Sequence, residues 1–189
     1  AINLDPQYKE AIAGRGEIYR LMRRYPEALA DFDCAIDLDP QCVWAISQRG
    51  EIYRLMGRYP EALVDFACAI DLDPQDKEAI AGRGETYRLM GRYPEALADF
   101  DCAIDLDPQC VWAIARRGET YRLMGRYPEA LTNFDRAIDL DPQYASAIAG
   151  RGETYRLMGR YPEALADFDR AIDLDPQYKE AIAYRGRTC

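Results

Sequence analysis

The sequence predicts an all-α fold, an α-solenoid of stacked helix pairs. Three observations predict it. First, the stretch at residues 39–72 recurs almost unchanged every 34 residues. A period in the range of about 20–50 marks a stacked array, because one such unit cannot bury its apolar face alone. Second, apolar residues recur at helical spacing: Ile46, Gly50 and Tyr53, then Ala62, Leu63, Phe66, Ala69 and Ile70. Third, helix punctuation separates the two stripes, with Gly57 followed by Pro60.

Taken in order, residues 1–4 (Ala1-Ile2-Asn3-Leu4) match the Ala-Ile-Asp-Leu that closes every other copy, and are expected to end a preceding second helix. Residues 5–174 hold five copies, 5–38, 39–72, 73–106, 107–140 and 141–174, and residues 175–189 hold a half copy, expected to be a single capping helix. From the out-of-phase ends and the missing initiator Met, an excised fragment or a processed piece is expected. Each copy opens on Asp-Pro, and aspartate as N-cap with proline at the first helical position predicts a first helix over about residues 40–56. Gly57 stops that helix. Arg23 replaces this glycine in the first copy, so that turn is expected to be strained or differently shaped. Pro60 starts the second helix.

The second copy reads Ile46-x-x-Arg49-Gly50-x-x-Tyr53, then Ala62-x-x-x-Phe66, then Ala69 and Pro74. This resembles the tetratricopeptide repeat, a helix–turn–helix unit of the same period, with the small residues, aromatics and proline all in phase. The likeness covers essentially the whole chain. Two columns depart from it: Ile46 and its equivalents stand where the family often has Trp, and Arg49 and its equivalents where it prefers Leu. The resemblance implies a right-handed superhelix of antiparallel helix pairs, with first helices on a concave wall and second helices outside. It also implies a non-catalytic scaffold that binds a peptide or protein segment on the concave face.

Composition narrows the function. The chain has 24 basic and 33 acidic residues, a net charge of -9. That argues against general binding to nucleic acid or to anionic membranes. No apolar run is long enough to span a bilayer, and there is no signal or transit segment. The six cysteines follow the repeat rather than a disulfide framework, so reduced thiols in a cytoplasmic setting are expected. Cys34, Cys68 and Cys102 share a column that later accepts Arg136 and Arg170, which predicts partial exposure on the outer side. Cys189 at the free end is the candidate for an intermolecular disulfide.

Charge sorts by helix. Glu27, Asp31, Asp33 and Asp37 in the second helix predict an acidic outer face; Arg15, Glu17, Arg20 and Arg24 predict a mixed inner one. Arg15 and its equivalents are arginine in all six copies. A charge beside a helix–helix seam needs a partner, and the guanidinium fork suits a carboxylate. Pairing with the Asp31 or Asp33 column of an adjacent second helix is therefore expected.

Variation among the copies concentrates in a few columns. One holds Tyr8, Cys42, Asp76, Cys110, Tyr144 and Tyr178; another holds Glu10, Trp44, Glu78, Trp112, Ser146 and Glu180; a third holds Gly14, Gln48, Gly82, Arg116, Gly150 and Tyr184. Trp44, Ser47, Gln48 and Glu51 share one helix face, distinct from the buried stripe. By resemblance this face reads ligands, so the candidate site is Trp44, Trp112, Gln48, Arg116, Glu51, Glu119, Arg54, Arg122, Cys42 and Cys110. Tryptophan on an accessible face is a common interface anchor. The same residues also allow each Trp to pack flat on its neighbouring repeat and do nothing more.

Catalytic and metal motifs are missing. With no histidine, Ser-His-Asp and Cys-His systems and His-based metal sites are excluded. Gly14-Arg15-Gly16 lies inside a helix, not in a phosphate-cradling loop. Asp37-Leu38-Asp39 lacks the turn glycine and distal Glu of a calcium loop. No enzyme activity and no cofactor are expected. The alternative function is a structural, self-assembling module, with homo-oligomers formed through the uncapped ends.

Overall fold

A computed structural model describes residues 6–188. The segment 1–4, read as the end of a preceding helix, and Cys189 lie outside the described residues. The described residues form eleven α-helices and no strand, so the fold is an all-α solenoid. The chain divides into two compact units, up to Arg92 and from Tyr93.

In the first unit, α1 (Pro6–Leu21) pairs with α2 (Tyr25–Leu38), and α3 (Val43–Leu55) with α4 (Tyr59–Leu72); α5 (Lys77–Leu89) follows. Each second helix also packs on the next first helix, α2 on α3 and α4 on α5, and the first helices touch in file, α1 with α3 and α3 with α5. The second unit repeats this scheme. There α6 (Tyr93–Leu106) packs on α7 (Val111–Leu123), α7 pairs with α8 (Tyr127–Leu140), and α9 (Ala145–Leu157) pairs with α10 (Tyr161–Leu174). Helix α11 (Lys179–Gly186) closes against α10 and α9, and α7 also touches α9.

The core is small residues closed over one phenylalanine per repeat. Phe32, Phe66, Phe100, Phe134 and Phe168 are sealed, with Ala28, Ala62, Ala96, Ala130 and Ala164 fully buried beside them. Burying one such ring contributes roughly 1.5–3 kcal/mol. The expected stripe is partly right. Ile46, Gly50, Ala62, Phe66 and Ala69 are buried, while Tyr53, Leu63 and Ile70 are half-buried. Ala45 and Ile52 are buried as well.

Two sequence expectations need correction. Helix α1 does begin at Pro6, but from the second copy on the Asp-Pro pair does not open the first helix. Asp39 is the residue that ends α2, its N–H donating to Ala35 O. Its carboxylate accepts from Gln41 N–H at 3.1 Å, and Cys42 N–H donates to Asp39 O at 3.0 Å. Aspartate bonding the backbone two residues on, with proline next, makes a turn instead of a helix start. The same carboxylate-to-Gln bond recurs at Asp73, Asp107, Asp141 and Asp175. Helix α3 therefore begins at Val43. Secondly, Asp31 is not part of an acidic surface: it is 6% exposed and bound by arginine.

The α3–α4 turn is made as expected. Gly57, Gly91, Gly125 and Gly159 all have φ near +75° (74°, 74°, 74° and 76°). Arg23 adopts the same left-handed conformation at φ 58°, so the first turn keeps its shape and a non-glycine residue bears the strain.

Candidate functional site

The invariant arginines tie the helices together. Arg49 donates through Nε and Nη2 to both oxygens of Asp65 on its own hairpin partner, at 2.8 and 2.7 Å, and through Nη1 to Asp33 of the preceding hairpin at 2.8 Å. Arg151 does the same with Asp167 and Asp135. Among the described residues Arg15 reaches only Asp31. Arg117 meets Asn133 Oδ1 at 2.8 Å and Asp101. The paired carboxylates hold Arg49 and Arg151 above the ordinary guanidinium value, the Asp65 and Asp167 bonds being the largest causes. Within each unit these arginines staple a first helix to its own and to the preceding second helix.

On that row the predicted residues fall as follows. Trp44 is 45% exposed, its indole edge-on to Phe32 with ring centroids 5.7 Å apart. Trp112 is half-buried and edge-on to Phe100 at 6.2 Å. The Arg116 guanidinium stands over the Trp112 ring at 5.7 Å. Gln48 is half-buried. Glu51 binds Arg54, and Glu119 binds Arg122, each pair within one helix. Burial works against charge on Arg54 and Arg122, but the glutamate bonds outweigh it and both stay above the ordinary value. Cys42 and Cys110 do not lie on the helix face; they are the N-cap residues of α3 and α7, and neither side chain caps. Cys42 packs against the cluster around Ile12 and Phe32. Ser47, grouped with Trp44 by spacing, is buried and donates to Asp76 Oδ2 at 2.9 Å.

In the second unit three of these residues meet others that the tryptophan-centred reading passed over. Arg116, Glu119 and Arg122 from α7 line a cavity of about 410 Å³ with Ser146, Gly150 and Glu153 from α9. Tyr144, Tyr178, Glu180 and Tyr184 complete the wall. The cavity opens where both variable columns are small: Ser146 stands in the tryptophan column and Gly150 in the Gln48 column. Burial holds the Tyr178 phenol above its ordinary value of 10.0; its hydrogen bond with Ser146 acts the other way. The signal for these residues was present, since all but Glu153 belong to the three variable columns or sit beside them.

N-caps supply a further signal. Asp76 caps α5, its Oδ1 accepting from Ala79 N–H at 3.1 Å. At the same column Cys42, Cys110, Tyr144 and Tyr178 make no cap bond.

Paired helices joined by tight turns and stacked with a fixed repeat define a helical-repeat protein. Family models described as tetratricopeptide repeat match residues 10–42, 43–76, 76–143 and 110–177. The chain belongs to the tetratricopeptide repeat family, whose fold serves protein–protein interaction scaffolds. No curated protein matches the sequence. Among solved structures it is similar to YrrB, titled a TPR protein with an unusual peptide-binding site, at 24% identity and TM-score 0.69, covering 93% of this chain and 90% of that one. A thermophilic TPR protein of Thermus thermophilus shares 21% identity at TM-score 0.81, over 95% and 98% of the two chains. PilW, a type IV pilus biogenesis factor, shares 20% identity at TM-score 0.82, over 97% and 93%. These likenesses show the fold. No described helix is long and apolar enough to cross a membrane.

Proposed function

We propose that this protein is a non-catalytic scaffold that holds a peptide or protein segment against its row of first helices, the concave face of the family's fold. One observation carries the reading. The N-cap column accepts aspartate with a working cap in one copy, yet four other copies place cysteine or tyrosine there and forgo the bond. A cap contributes about 1 kcal/mol. Local rules are broken mainly where function asks for it, and Tyr144 and Tyr178 line the cavity. In the second unit Trp112, Cys110 and the Glu119–Arg122 pair would extend the contact surface, and in the first unit Trp44, Gln48, Cys42 and the Glu51–Arg54 pair would form a contact surface of their own. The neighbour titled for its peptide-binding site supports the same reading.

Residues 5–174 act as five units in this reading, with 175–189 a half unit. The free described thiols suit a reducing, cytoplasmic compartment, and the charge of -9 disfavours nucleic acid and anionic membrane as partners. The test is a pull-down or peptide array repeated with Trp44→Ala and Trp112→Ala. Loss of specific partners supports recognition; unchanged partners with altered oligomer size supports a self-assembling module.

A further inference from the structure

We infer that the cavity between α7, α9 and α11 takes one long basic side chain, lysine or arginine, from the bound segment; this rests on the scaffold reading above. The charge at the cavity decides the sign. Arg122 already donates to both oxygens of Glu119. Arg116 stands over the Trp112 ring, and its buried Nε makes no hydrogen bond among the described residues. Glu153 is bound by Arg156 at 2.7 and 2.9 Å. Among the described residues Glu180 carries no ion pair, and it is exposed at the rim. An acidic group entering here would find the unbonded Nε of Arg116, but it would face Glu119, Glu153 and Glu180, three carboxylates against the two guanidinium groups of Arg116 and Arg122. A basic group would meet Glu180 without displacing anything.

The aromatic lining points the same way. Tyr144, Tyr178 and Tyr184 surround the cavity, and tyrosine faces attract lysine and arginine heads. The rings are held in place: Tyr184 packs on Phe168 with centroids 5.9 Å apart, and Tyr178 bonds Ser146. Arg187, outside the lining, already stands over the Tyr184 ring at 5.9 Å, an intrachain case of the contact. The volume of about 410 Å³ lies low in the range of roughly 300–1,000 Å³ for ligand pockets, which suits a side chain and not a folded element. The chain's net charge of -9 draws basic segments toward it.

The test uses the full chain on an array of end-capped hexapeptides varied at each position, then solution titration of the best binder. Binders should share lysine or arginine at one position, and replacing it by glutamine should weaken binding about tenfold. Glu180→Gln and Tyr178→Ala should each shrink that ratio to about threefold or less, while Val64→Thr in the other unit should leave it unchanged. Glu180 is exposed, so Glu180→Gln keeps the fold and decides the matter if Tyr178→Ala unfolds. Peptides bound with no basic preference, or a preference that survives Glu180→Gln, would overturn this inference and leave the scaffold reading standing. An array that binds nothing would overturn both.

Discussion

The ring of Phe66 lies 2.7 Å from the point that a Cβ on Gly82 would occupy. Phe134 and Gly150 stand in the same relation. Where this column holds a larger residue, Gln48 or Arg116, the preceding phenylalanine meets tryptophan edge-on instead. The variable columns therefore set how each core ring is covered. Gly82→Ala is predicted to destabilise, because overpacking of about 1–3 kcal/mol exceeds the helix-propensity gain. Gly14→Ala, with nothing within 4 Å, should stabilise by about 0.5–1 kcal/mol. Denaturation midpoints of the two variants should move in opposite directions.

The arginine staple makes a graded prediction. Arg49→Met strips both oxygens of Asp65, which is 4% exposed, and frees Asp33. Removing one partner of a buried pair costs about 3–5 kcal/mol. Among the described residues Arg15 has one partner, and its side chain is 62% exposed, against 23% for Arg49. Arg15→Met should therefore lower the urea midpoint by clearly less than Arg49→Met.

Arg23 holds the left-handed turn that glycine holds elsewhere. Arg23→Gly should raise stability by about 1 kcal/mol. Thermal melts should show a higher Tm for this variant, whereas Gly57→Arg should show a lower one.

Acid should weaken the fold. Glu27, Glu61 and Glu129 are held below their ordinary value of 4.5, first by the arginine three residues earlier and then by backbone hydrogen bonds. For Glu163 the backbone bond leads. A carboxyl lowered in the folded state contributes stability that is complete above its unfolded value and is lost as pH falls through its folded value. Stability is thus predicted to be level near neutrality and to fall below pH 4.5. These pairs are exposed, so added salt should shrink the effect. Urea midpoints across that window, at low and high salt, check both statements.

Much of the architecture was legible because the repeat carries it. The period, Gly57 and the Phe66 stripe each imply one physical requirement, and the structure meets them. The arginine pairing was legible because a fixed charge beside a seam demands a carboxylate. Asp39-Pro40 misled because aspartate before proline satisfies both a helix cap and a turn, and only the distance to the preceding helix decides between them. Ser47 was misplaced because spacing gives a face but not its depth. The variable columns mark the residues of the cavity, but not the cavity itself, because spacing does not show that small side chains at Ser146 and Gly150 leave a space between α7, α9 and α11.

The most direct measurement is amide hydrogen exchange with and without the best-binding peptide. The account predicts added protection in the first helices, centred on α7, α9 and α11 around Tyr144 and Tyr178. Protection confined to the second helices α8 and α10, or no change at saturating peptide, would contradict it.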